Sequence, residues 1–223
     1  FMVGIVVAAV TVATAVSGIQ KAMKHVSNIN VYGFAIFLIF LLVFSNASFL
    51  FNLSTEALGG FAGTFIERIL ITGESVGTQW PQWWTTFYWF SWMAWAPTSG
   101  AFMGQIAYGR KVKHVLGLYV GLCASVSALW MVLVSGTSLW VQTSGLFDLV
   151  ASYDRGVENV PYDMLGALPL GNLIIPLFVV LIFLSTITAC NSNCIAMAGI
   201  STQGINPDSP DSPMWLKLVW CVV

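Results

Sequence analysis

The chain has 223 residues, 57% of them hydrophobic and only 8% charged, with a formal net charge of -1. A soluble domain carries about 25% charged residues, so a water-facing surface cannot be assembled from this composition and the chain reads as a membrane protein. The near-neutral total gives no ground for a nucleic-acid partner, and none is expected.

Charge-free stretches run over Phe1 to Gln20, Val26 to Thr55, Ser75 to Gly109, Val115 to Phe147 and Met164 to Pro207. Each exceeds the roughly 20 residues that a membrane-spanning helix needs. Five spans are expected, with a sixth starting at Met214. The helices are placed at about 1–24, 31–53, 83–108, 113–135, 170–202 and 214–223, in a single transmembrane domain over 1–223. Phe1 already lies inside an apolar run with no basic segment and cleavage site ahead of it, and the sixth helix stops at Val223. The chain therefore reads as an internal piece of a longer protein, incomplete at both ends.

Taken in order, the loops fall on two sides. Loops 20–30, 108–114 and 203–217 hold Lys21, Lys24, Arg110, Lys111, Lys113 and Lys217, while the opposite set, at 53–82 and 136–169, has only Arg68 and Arg155. The positive-inside rule makes the first set cytoplasmic and the protein a multi-pass one of the cell membrane. In the first outer loop, Phe61, Phe65, Ile66, Ile69 and Leu70 recur at helical spacing. This predicts an amphipathic helix at about 55–72, lying on the outer surface or acting as a plain connector. The second outer loop, with Gly156, Pro161, Gly166 and Pro169, is expected to be irregular. NPDSPDSP, Asn206 to Pro213, is a proline-rich break between spans.

The third span carries TTFYWFSWMAWAPTSGAFMGQ, Thr85 to Gln105. On a helix Tyr88, Trp92 and Trp95 are i, i+4 and i+7 and share a face, with Ser91 on it and Trp89 at its margin. Trp80, Trp83 and Trp84 fit an interfacial belt at the outer end. Trp92 and Trp95 lie roughly 12 to 18 Å farther along, toward the middle of the bilayer, where a belt does not explain them. Two readings compete there: ordinary packing, and a cation–π box whose indole faces hold a quaternary ammonium, worth on the order of 2 kcal/mol per desolvated contact. Pro97 and Gly100 predict a kink or break that frees backbone groups beside a cavity.

The run WTTFYWFSWMAWAP, Trp84 to Pro97, followed by IAYGRKVKHV, Ile106 to Val115, resembles the betaine/carnitine/choline transporter family. SGIQKAMKHVSNIN, Ser17 to Asn30, is similar to that family's segment between its sixth and seventh helices, and STITACNSNCIAMAGIST, Ser185 to Thr202, to its tenth. The resemblance implies an all-α, polytopic transporter of the amino-acid/sodium symporter-like kind, built as a five-plus-five inverted repeat. This chain would run from the end of the sixth helix into the eleventh, with the aromatic helix lining the central site. It implies a small quaternary-ammonium substrate of the glycine betaine, carnitine or choline class, a role in osmoprotection, and a homotrimer in the lipid bilayer.

By resemblance Trp92 falls on the tryptophan of the central site, Trp95 on the next aromatic toward the cytoplasmic path, and Trp89 on the first of the cluster. The family's middle tryptophan is Ser91 here, which opens volume and offers a hydroxyl to a substrate carboxylate or hydroxyl. Sodium-coupled members place a Thr-Ser pair in the tenth helix. Thr188 takes the first position as a candidate sodium ligand, but Ala189 takes the second and has no oxygen to offer. Sodium stands as a candidate coupling ion beside exchange and proton coupling, and no other cofactor is expected.

The four cysteines, Cys123, Cys190, Cys194 and Cys221, all lie in apolar segments; Cys190 and Cys194 share a helix face and read as small packing residues. No charged residue falls within the five long stretches, so an enzyme is not expected. A sensor that binds the same compounds without transporting them is the alternative function.

Overall fold

In a computed structural model, residues 9–10, 12, 20–107, 109–203 and 212–222 are described. Among them the chain is helical, with no strand: α1 is Gln20–Phe44, α2 Ala47–Leu70 and α3 Trp80–Ile106. Next come α4, Val112–Thr143, α5, Leu149–Arg155, α6, Val160–Gly166, α7, Gly171–Ile200, and α8, Met214–Val222. Three of these helices are long and apolar enough to cross a membrane, through His25–Phe44, Val112–Thr143 and Gly171–Ile200, with mean hydropathies of 2.1, 2.0 and 2.7. α3 has the length, 27 residues, but its tryptophans, serines, threonines and glutamines keep it out of that group. The helix expected at 1–24 and the loop at 203–217 lie largely outside the described residues.

Several boundaries differ from the sequence expectation. Helix α1 runs straight through 20–30, where a loop was expected, because Gln20 to Asn30 contains neither proline nor glycine and continues the helix past its apolar part. It ends at Phe44, not near 53. Asn46 caps α2, its Oδ1 accepting the Phe49 N–H at 3.0 Å, so the helix expected at 55–72 begins at Ala47. Helix α3 begins at Trp80 rather than 83, with Pro81 in its first turn, where a missing N–H costs nothing. It is helical through Pro97, so the expected break is absent; one lost hydrogen bond does not interrupt a helix of this length.

Helix α4 extends to Thr143 rather than 135, passing through two π-helical segments, Gly117–Leu122 and Met131–Ser135. The outer loop expected to be irregular forms α5 and α6. Asp148 caps α5 by accepting the Val150 and Ala151 N–H groups at 3.1 and 3.2 Å, and Pro161 sits in the first turn of α6.

Where the sequence reads as one domain, the chain divides into two compact units. The first comprises the described residues of Phe1–Ala22, Gly60–Arg110 and Ile187–Val223, and the second Met23–Gly59 and Lys111–Thr186.

The second unit holds the apolar core, from Phe37, Leu41 and Leu50 through Leu133 and Val141 to Leu165, Ile174, Phe178 and Leu181. Phe37 stacks on Phe178 with ring centroids 5.0 Å apart, and Phe34 meets Trp130 edge-on at 5.4 Å. Between helices in lipid the gain is close packing rather than escape from water, so small residues set the spacing. A Cβ on Gly136 would stand 2.6 Å from Leu50 Cδ2, and one on Gly33 would meet Leu181. Asn30 Nδ2 donates to Ser185 Oγ at 2.8 Å, tying α1 to α7.

Outside the spans of this unit, Ser152 is fully buried and donates to Asp163 Oδ2 at 2.6 Å, while Arg155 Nη2 reaches the same oxygen at 2.7 Å. That shared carboxylate holds α5 on α6.

In the first unit, α3 meets α7 where Thr98 Oγ1 lies 3.6 Å from Met197 Sδ. Helix α8 meets α7 through Trp220, whose carbonyl accepts from Cys194 Sγ at 3.4 Å and whose indole Nε1 donates to Ser201 Oγ at 3.1 Å.

Two outcomes are expected for the purified protein in detergent or nanodiscs, read by thermal unfolding. Gly136→Leu overpacks the contact with Leu50 and lowers stability by about 1–3 kcal/mol. Ser152→Ala removes one of the two donors on Asp163 and lowers it by about 1 kcal/mol, with loss concentrated in protease resistance of the 145–170 segment.

Candidate functional site

Within the first unit, one face of α3 carries an apolar groove of about 500 Å³ lined by Phe87, Tyr88, Ser91, Trp92, Trp95 and Ser99. The lining follows from helical geometry: 88, 92, 95 and 99 recur at steps of four, three and four, so their side chains stack along one stripe. Ser91 and Phe87 flank it on one side. Tyr88 and Trp92 have ring centroids 6.4 Å apart, tilted by 52°, so the stripe presents aromatic faces at more than one angle. No charged side chain lines the groove.

The indoles of Trp92 and Trp95 are more than half exposed, as is the Tyr88 ring, whereas Ser91 is half-buried. Exposed indole faces without an acid nearby attract a cation through the ring quadrupole alone. Such a surface suits a charge whose alkyl groups leave it no hydrogen to donate.

Four of the residues singled out from sequence are thus brought together: Trp92, Trp95, Tyr88 and Ser91. Trp89 is exposed and does not line the groove, because one residue past Tyr88 turns it about 100° away. Trp80, Trp84 and Phe87 form an aromatic chain on the first turns, with centroids 5.7 and 6.0 Å apart in sequence, which meets the groove at Phe87, and Trp83 is exposed beside them. Thr188 lies in α7, half-buried and engaged in an interaction, and is not among the residues that line the groove; Ala189 beside it is exposed. Among the described residues no cluster of three histidine, cysteine or acidic side chains could hold a metal ion.

Phe87 and Ser99 also line the groove and were not expected from the sequence. Ser99 was legible in principle, being i+4 from Trp95 and i+7 from Trp92, but it follows Pro97, where the helix was expected to break.

A sequence profile described as betaine/carnitine/choline family transporter matches residues 1–223. Uncharacterized transporters of Mycobacterium tuberculosis (strain H37Rv) and Mycobacterium bovis are each 28% identical over 225 residues, covering 100% of this chain and 37% of theirs. The osmo-independent choline transporter BetT1 of Acinetobacter baylyi is 27% identical over 222 residues, covering 94% of this chain and 40% of its own. The chain thus spans about two fifths of the length of the curated relatives it matches, at 37–40%. With a match along its whole length and helices apolar enough to cross a bilayer, the chain belongs to the betaine/carnitine/choline family of transporters.

Proposed function

We propose that this chain forms part of a secondary transporter that carries a quaternary-ammonium compound, of the glycine betaine, carnitine or choline class, across the cell membrane. The observation that carries the reading is the groove on α3, where Trp92, Trp95 and Tyr88 line an uncharged, aromatic surface. The cationic head rests on the indoles, and no carboxylate is required to neutralise it. Such contacts are strong enough to select a cation when desolvated, yet leave it free to depart, as alternating access requires. The name of the Acinetobacter relative, a choline transporter, supports the same substrate class.

In this reading α3 is the first helix of the second half of a five-plus-five inverted repeat, and its groove faces the centre of the bundle near the bilayer midplane. The remaining walls of the box come from helices of the first half. The assembled protein is a homotrimer, with loops 20–30, 108–114 and 203–217 on the cytoplasmic side.

Coupling does not run through sodium at the tenth-helix position. A small hard cation needs several oxygen ligands, and Ala189 removes one of the paired hydroxyls that Thr188 would complete. Exchange or proton coupling takes its place.

The test is uptake of labelled glycine betaine, carnitine and choline by the full-length protein in proteoliposomes. At least one is accumulated, and Trp92→Ala lowers its uptake by about 30-fold, the equivalent of one desolvated cation–π contact of about 2 kcal/mol. Trp83→Ala leaves uptake within twofold. Equal losses from both would assign the tryptophans to membrane anchoring, and binding without uptake of any of the three would favour a sensor.

Replacing the sodium gradient by potassium is expected to leave the rate unchanged. A strict sodium requirement would show that Ala189 has not removed the coupling site.

A further inference from the structure

Among the described residues the cysteines are free thiols, and three of them converge in the first unit. Cys190 and Cys194 lie one turn apart on α7, and Cys221 lies on α8. Cys194 is buried, with its Sγ 3.4 Å from the Trp220 carbonyl oxygen, and its thiol is also hydrogen-bonded to that of Cys221. A thiol has a single hydrogen to donate. Cys194 directs its own at the Trp220 carbonyl, so the Cys221 S–H donates to the Cys194 sulfur and the two sulfurs are in direct contact.

The backbones behind them are close as well. The cysteine side chain is short, so for the Cys194 sulfur to touch a backbone atom of α8 the two helices must approach closely. A disulfide asks the same of its Cα atoms, which lie about 4.4 to 6.8 Å apart. The depths match too. Cys194 precedes the end of α7 at Ile200 by about 9 Å, and Cys221 follows the start of α8 at Met214 by about 10 Å. Cys190 is excluded as the partner of Cys194, because residues four apart on one helix hold their Cβ atoms about 5–6 Å apart and a disulfide needs about 3.8 Å.

We propose that Cys194 and Cys221 are a modification site, a dithiol that a hydroperoxide converts into a disulfide joining α7 to α8. Cys221, half-buried where Cys194 is buried, reacts first. Its sulfur attacks one peroxide oxygen, the O–O bond breaks, and the thiol proton passes to the departing hydroxide as water, leaving a sulfenic acid. The Cys194 sulfur then attacks that of Cys221. The S–S bond forms, the S–O bond breaks, and the released hydroxide takes the Cys194 proton as a second water. The two thiols lose two electrons and the peroxide gains them. The inference does not depend on the transport reading. Met197, three residues beyond Cys194, meets Thr98 of α3, so the bond would tether α8 to the helix that touches the aromatic one.

The test is treatment of the full-length protein in proteoliposomes with hydrogen peroxide, followed by alkylation of the remaining thiols in denaturant, digestion and mass spectrometry. The expected product is a cross-linked pair of peptides carrying Cys194 and Cys221, two hydrogens lighter than the reduced pair and separated again by dithiothreitol. Cys221→Ser is expected to abolish the link and leave Cys194 alkylatable, whereas Cys190→Ser keeps the link. Cys221→Ala serves as a second variant, and the wild-type peptides decide the pairing without either.

Pairing of Cys194 or Cys221 with Cys190, or with a second copy of the chain, overturns the assignment. So does a sulfinic acid at Cys221 beside a free Cys194. Survival of both thiols at a peroxide concentration that oxidises the exposed Cys123 overturns it equally.

Discussion

In hydrocarbon, a backbone N–H or C=O that lacks a partner has no water to turn to, and this requirement organises the molecule. It makes the long apolar stretches helical from end to end. It is why Pro97 is carried inside a continuous helix, and why Ser125, Thr137 and Thr186 turn their hydroxyls back onto their own helices. Once polar groups are satisfied locally, the helices differ only in the shapes and rings they present. Close approach then decides contacts, as at Gly136 against Leu50 and Phe37 against Phe178.

The aromatic helix follows the same rule with a different outcome. Its stripe has no acid or base and no large buried partner, and its rings are more than half exposed. A helix face that offers π-surface and carries no charge attracts cations through the ring quadrupoles alone. Other contacts are made elsewhere along the helix. Trp80 and Trp84 cluster on its first turns, and Thr98 meets Met197 of α7 just beyond the proline.

The fold and the site were legible to different degrees. The helical class, the apolar spans and the stripe of Tyr88, Trp92 and Trp95 follow from periodicity and charge, and the resemblance that those residues carry agrees with the family match over 1–223. Helix ends were less legible, because they depend on single capping groups. Asn46 starts α2 and Asp148 starts α5, and neither stands out in an apolar sequence until its side chain is seen to accept the free N–H groups. Ser99 escaped notice for a related reason: a proline two residues earlier suggested that the stripe ended.

What the sequence by itself determined is the medium and the periodicity. With 8% charge the chain can be stable only in lipid, lipid admits helices, and a helix places residues four and three apart on one face. What only the tertiary structure decided is which of those residues converge. The Phe37–Phe178 stack and the close approach of Gly33 to Leu181 bring no regular spacing to the sequence. The physical reason is that helical spacing is local, set by bonds four residues apart, whereas packing joins residues more than a hundred positions apart through shape alone.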